Sequence, residues 1–206
     1  LLILMFVYAV ILAQISVGVV MGYMHSKRSG YFYGSLPIKR GALFATQYVT
    51  GVIFFVVPFL LNVLLTLGVV GMFGAMSTLS SAVVWHWILN TLAVYMVIYS
   101  FAVLASNLSG MKSTSLMVML LLFFYLPALY FTVLGYVSVL YRYINADYLM
   151  SSLDVLKLSP VINTFIILKD PTTLSGVITL LLYIIVPTLI ALWLNHKLNY
   201  EIAENA

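Results

Sequence analysis

Charge is what this sequence has least of. Its 206 residues include 9 Lys and Arg and 5 Asp and Glu, 7% of the chain, while 64% is hydrophobic. A soluble protein carries about 25% charged residues, and so few charges cannot furnish a polar exterior for a chain of this length. A mean hydropathy of +1.15 agrees, and the chain is read as an integral membrane protein. Cysteine is absent, which excludes a disulfide framework, a thiolate metal site and a cysteine nucleophile. The net charge of +4 comes from scattered cations and not from the dense basic stripe that nucleic acid requires, so nucleic acid is excluded as a partner. Asp and Glu are missing from every long apolar run, and no HExxH, GxSxG or P-loop pattern occurs. The chain is therefore expected not to be an enzyme, to hold no metal and to bind no cofactor directly.

The gaps between charges organise the chain. No Asp, Glu, Lys or Arg occurs in residues 1–26, 41–111, 113–141 or 171–196. A span needs about 20 apolar residues to cross a hydrocarbon core about 30 Å thick, so the second gap must fold back once. The turn belongs at the polar cluster from Gly74 to Ser81. The expected fold is all-α: one transmembrane helical bundle over residues 1–206 with five spans, at about 1–24, 45–73, 83–106, 115–140 and 175–195. β-barrel strands are excluded, because these runs are continuously apolar and do not alternate. The connection 141–174 is too apolar for a solvated loop, which predicts short interfacial or re-entrant helices with breaks at Ser159-Pro160 and Asp170-Pro171. The sequence opens on Leu1, inside an apolar stretch with no basic n-region, so it is expected to be a segment of a longer protein and not to open on a signal peptide.

Orientation is predicted from the cations. Lys27, Arg28, Lys39, Arg40, Lys112 and Lys197 share one side, and Arg142, Lys157 and Lys169 share the other with Asp147, Asp154 and Asp170. The positive-inside rule then places the N-terminal end outside and the C-terminal end in the cytoplasm of a multi-pass plasma-membrane protein.

At membrane depth the ionisable candidate besides tyrosine is His86, between Trp85 and Trp87. It reads as a proton relay or ligand contact, or, more plainly, as part of an interfacial aromatic anchor. Gln14, Asn62 and Asn90 suit interhelical hydrogen bonds. With no acidic residue at depth, the energy for any transport must come from elsewhere. Pro58, Pro127 and Pro187 each fall near the middle of an expected span. Each removes a backbone donor and can kink its helix, although proline is also simply commoner in membrane helices than in soluble ones. Gly18 and Gly22 form a small-xxx-small pair.

One loop stands above this background. Between His25 and Phe44 two basic pairs, Lys27-Arg28 and Lys39-Arg40, enclose Tyr31, Phe32, Tyr33 and Leu36-Pro37-Ile38. Ser35 suits a cap and Pro37 a first helical turn, with Leu43, Phe44 and Tyr48 continuing at helical spacing. The segment is a mechanical lever on two membrane helices or an ordinary basic loop with aromatics at the headgroups.

The run Tyr33-Gly-Ser-Leu-Pro-Ile-Lys-Arg40, with Leu43-Phe44 and Tyr48-Val-Thr-Gly51, resembles the "YHSLPIKR..LF...Y.AG" pattern of ABC-2-type permeases of the Gram-positive type, the membrane subunits of ATP-binding cassette exporters. Leu158-Ser159-Pro160 and the tail from Asn195 to Glu204 resemble further parts of the same layout. The resemblance implies a six-span fold whose first span is missing here, and pairing with a second permease half in a homo- or heterodimer. It implies a coupling element at about residues 26–42 that docks on a separate ATPase subunit holding ATP and Mg. Tyr31, Phe32, Tyr33 and Leu36 would fill a groove on that ATPase, with Pro37 in the same partner-binding loop, and Lys27, Arg28, Lys39 and Arg40 would make polar contacts or hold the lipid surface. The cargo expected is amphipathic or hydrophobic. The alternative is a membrane scaffold or sensor that binds a lipid or peptide antibiotic without moving it.

Overall fold

Apolar sequence in lipid must satisfy its backbone internally, and helix is the way a single segment does so. The computed structural model describes residues 2–26, 29, 32–33, 37–74, 80–109, 111–140, 159–169 and 174–197. Among these residues all regular structure is helical. Helix α1 is Leu2–Val20, followed by a 3-10 turn at Gly22–His25; α2 is Arg40–Met72, α3 Ser81–Leu108, α4 Lys112–Leu140, α5 Pro160–Lys169 and α6 Leu174–Lys197.

Three helices, α2, α3 and α6, are long and apolar enough to cross a membrane, with mean hydropathy of 2.6, 2.0 and 2.5 over their most apolar stretches. A fourth crossing forms if the two halves of α4, Thr114–Tyr125 and Pro127–Val137, count as one span bent by 48°. The first predicted span holds α1, and the apolar stretch Val7–Val20 within it is shorter than those of α2, α3 and α6 among the described residues. At about 1.5 Å per residue the whole of α1 covers about 28 Å, and beyond Met21 the chain tightens into the 3-10 turn. Among the described residues the structure has three to four candidate membrane-spanning helices.

Helix α3 is the axis of the bundle, in contact with α1, α2, α4, α5 and α6. Its apolar stretch is 61% buried, against 11% for those of α2 and α6. Burial is concentrated in the half from Val94 to Asn107, where Tyr95, Tyr99, Ser100, Ala102, Val103 and Ala105 have no exposed surface. Around this axis, Leu60, Leu61, Leu64 and Leu65 of α2 and Leu181, Leu182 and Ile185 of α6 point outward. A continuous apolar exterior of this kind needs lipid to cover it, and several long apolar helices carrying it fit a multi-pass membrane protein.

The ends of α1, α3 and α6 and the starts of α2 and α4 gather at one end of the bundle, called here the loop end. At the opposite end α2 stops at Gly74, whose φ of +66° is the left-handed conformation that terminates helices. Gly74 N–H donates to the Gly71 carbonyl (3.0 Å) as the helix closes. The rest of that predicted turn, 75–79, lies outside the described residues, as do 141–158 and 170–173 of the predicted outer connection. Within that connection α5 begins at Pro160, where proline is pre-set for the first helical position.

Candidate functional site

The loop end holds the residues singled out by sequence. Phe32 is 62% exposed and stands edge-on to Tyr33, with ring centres 5.6 Å apart. Tyr33 packs at 4.7 Å on Tyr23 of the 3-10 turn, and Tyr23 is buried. Ser29 donates to the Tyr23 carbonyl (3.3 Å) and its hydroxyl also meets that of Ser26. An exposed aromatic is thereby braced on the end of α1. Lys27, Arg28, Tyr31, Ser35 and Leu36 lie outside the described residues.

Helix α2 begins later than its capping pattern predicts. Lys39 is the N-cap residue, its carbonyl accepting from Ala42 and Leu43 (2.9 and 3.1 Å), so Pro37 precedes the helix and does not occupy its first turn. Two cations at a helix N-terminus oppose its dipole, but Arg40 reaches the favourable end of another helix, with Nη1 donating to the His196 carbonyl of α6 at 3.5 Å. Lys197 lies 4.2 Å over the Trp193 ring. His25 Nε2 is 3.0 Å from Ser106 Oγ at the end of α3. The loop is therefore tied to three helices through Tyr23, Ser106 and His196.

From this end an aromatic ladder runs along the α2–α3 seam. Phe44, Tyr48, Tyr99, Tyr95, Phe55, Phe59 and Trp87 follow one another at ring-centre distances of 6.2, 5.1, 5.6, 3.6, 5.5 and 5.7 Å. The spacing of Phe44, Gln47, Gly51 and Phe55 keeps one face of α2 on the core. Gly51 is needed there, because a Cβ would sit 2.7 Å from Tyr99 Cζ. The hydroxyls find partners across helices: Tyr99 donates to the Tyr48 carbonyl (3.1 Å), Tyr95 to the Gly51 carbonyl (3.3 Å) or Ser16 (3.4 Å), and the Tyr48 hydroxyl lies 3.3 Å from that of Thr188, whose one proton is shared with the Ile184 carbonyl at 2.7 Å. Of the polar residues expected to bridge helices, Gln14 does so, donating to Met119 Sδ at 3.1 Å, whereas Asn62 accepts from Thr66 one turn along its own helix. His86 is exposed near the start of α3, and its neighbour Trp87 closes the ladder on Phe59.

The prolines divide by what happens to the carbonyl four residues earlier, which each deprives of its helical donor. At Pro127 that carbonyl is Phe123, and Ser159 Oγ donates to it at 3.0 Å. At Pro187 it is Tyr183, and Ser100 Oγ lies 3.0 Å away, its one proton shared with the Val97 carbonyl at 2.8 Å. Asn163 of α5 also donates to the Tyr183 hydroxyl (3.0 Å), so α5 joins both kinked helices. At Pro58 the carbonyl is Phe54, and no side chain among the described residues donates to it. Instead a cavity of about 120 Å³ lies there between α1 and α2, lined by Tyr8, Ser16, Phe54, Phe55, Pro58 and Asn62 among others.

A larger cavity, about 340 Å³, opens near the loop end, with Gln14, Gly18, His25, Ser106, Ser115 and Leu116 in its lining. Helices α1 and α4 both pack on α3, and the space lies between them. No family model, curated protein or solved structure matches the chain.

Proposed function

We propose that this chain is the membrane-spanning permease subunit of an ATP-binding cassette exporter, carrying five spans of a six-span layout and driven by a separate ATPase that holds ATP and Mg. The observation that supports the reading best is the bracing of Phe32. A side chain on a short connection transmits force only if it is both accessible to a partner and fastened to the helices it must move. Phe32 is exposed, and the ties through Tyr33–Tyr23, His25–Ser106 and Arg40–His196 fasten its loop to α1, α3 and α6. Docking of the ATPase on this loop, from the cytoplasm, would be relayed to the bundle, and a second permease half would complete the path for an amphipathic cargo.

The test is co-purification of an ATPase subunit with the full chain from its own membranes. Exposed aromatics that seat in a partner's groove dominate binding energy, each worth about 2 kcal/mol or more, about thirtyfold in affinity. Tyr31→Ala with Phe32→Ala is expected to abolish co-purification while leaving helix content unchanged. Undiminished recovery of the ATPase would sink the coupling role.

A second reading, a scaffold or sensor subunit that binds a lipid or peptide antibiotic without transport, is favoured by the largely apolar space between α1 and α4, lined by Ile15, Val17, Gly18 and Leu116 beside Gln14 and His25. Flux into reconstituted vesicles separates the two: the permease moves cargo with ATP, and the scaffold binds it with no flux.

A further inference from the structure

Three cationic side chains share one corner of the loop end. Lys39 and Arg40 stand at the start of α2, and Lys197 is the last residue of α6. The two helix ends are seated on each other: Arg40 Nη1 donates to the His196 carbonyl at 3.5 Å, and a Cβ on Gly41 would meet His196 Nε2 at 3.5 Å. All three cations are exposed, and no Asp or Glu occurs among the described residues. The carbonyl that Arg40 meets carries no net charge, and neither does the Trp193 ring under Lys197. Lys39 and Arg40 also add like charge to the positive end of the α2 dipole. The corner therefore holds a surplus of positive charge that an anion would relieve.

Its depth follows from the charge-free runs. The run 41–111 begins directly after Arg40, and the run 171–196 ends directly before Lys197, so the corner lies where hydrocarbon gives way to headgroups. Trp193, one turn below Lys197 and 55% exposed, occupies the level that aromatic residues take at this boundary. Deeper still, α2 and α6 meet at Tyr48 and Thr188, whose hydroxyls are 3.3 Å apart. The next residue on each helix, Val49 and Leu189, is exposed. Cations above an apolar seam fit an amphipathic anion, whereas a water-soluble one would use the upper half alone.

We propose that the α2–α6 corner binds an anionic phospholipid of the surrounding bilayer: Lys39, Arg40 and Lys197 hold the headgroup charge, and an acyl chain lies over Trp193, Val49 and Leu189. The site does not rest on the permease reading. Its test reads bound lipid and not bound ATPase, so either can fail alone.

Native mass spectrometry of the purified full chain in neutral detergent tests it, with equal amounts of phosphatidylglycerol and phosphatidylcholine of the same acyl chains as probes. One phosphatidylglycerol per chain is expected, retained at least about tenfold better than phosphatidylcholine. A Lys or Arg beside an anionic lipid surface contributes about fivefold in affinity. Lys39→Gln and Lys197→Gln should each lower phosphatidylglycerol retention by about that factor, and together by about 25-fold. Both side chains are exposed, so these variants keep the fold. Lys112→Gln, at the start of α4 on the same end of the bundle, should leave retention unchanged. An equal loss there means diffuse attraction to a basic face and overturns the site. Equal retention of phosphatidylcholine overturns the charge assignment. Displacement of the lipid by equimolar glycerol phosphate makes the corner a free-phosphate site and overturns the lipid assignment. Retention that appears only after Glu201→Gln with Glu204→Gln gives the corner to the chain's own carboxylates, and overturns the proposal as well.

Discussion

Pro127 and Pro187 on one side of the bundle and Pro58 on the other perform the same covalent act with opposite structural outcomes. Each withdraws a backbone donor from the carbonyl one turn earlier. On the α4–α6 side the vacancy is filled by a serine from elsewhere in the chain, Ser159 for Phe123 and Ser100 for Tyr183, and α5 is pinned across both helices by Ser159 and Asn163. On the α2 side no side chain answers Phe54 among the described residues, and open volume lies beside it. The 48° bend of α4 at Pro127 is thus a clamped bend, whereas Pro58 sits in a long helix free to change its curvature. A proline in a membrane helix does not by itself mark a hinge; what decides is whether its orphaned carbonyl has already been claimed.

Ser159→Ala breaks the comparison hardest. Ser159 is fully buried and its hydroxyl is committed to Phe123 at 3.0 Å, so its loss leaves a carbonyl without that donor and loosens α5. The expected destabilisation is about 1.5 kcal/mol, read from unfolding of the full chain in bicelles. Adding Pro127→Ala, which restores the backbone donor, is expected to recover most of it, and a double-mutant cycle with no coupling would refute the clamp. Ser100→Ala ranks next, at about 1 kcal/mol, because its single proton is already divided between Tyr183 and Val97. Its loss should be recovered in the same way by Pro187→Ala.

Much of the scaffold was legible in the sequence, for a simple reason: water and lipid select by charge, so charge-free runs mark where helices lie. The runs around 41–72 and 81–108 became α2 and α3. Even the carbonyls at risk could be named in advance, four residues before each proline. Their rescuers could not. Ser159 lies 36 residues from Phe123 and Ser100 lies 83 from Tyr183, separations set by how helices pack and not by any local pattern. The Tyr95–Tyr99 spacing predicts a shared helix face, yet that Gly51 makes room for Tyr99 emerges only when α2 meets α3. The α1–α4 groove was hidden for the same reason. Neither Gly18 nor Ser115 reads as lining one cavity until both helices are laid on α3.

The smallest effect on stability is expected at Pro58, and it is the most informative. Pro58→Ala gives α2 back a backbone donor for Phe54, and Pro58 is itself exposed, so little packing is lost. The intrinsic preference of a helix interior for alanine over proline reaches about 3 kcal/mol in soluble helices, but the surrounding lipid and the existing helix geometry already absorb most of that. A gain of about 0.5 kcal/mol is expected, opposite in sign to both serine variants. Under the permease reading the consequence for work is large: a helix stiffened at its unclamped point should cut ATP-driven flux in vesicles by about tenfold, while ATPase co-purification through Phe32 stays intact. Pro127→Ala made in parallel should leave flux near its original level, because Phe123 already has a donor in Ser159 and regaining its backbone donor adds little new constraint there. Equal losses in the two variants, or none in Pro58→Ala, would erase the distinction between a clamped proline and a free one.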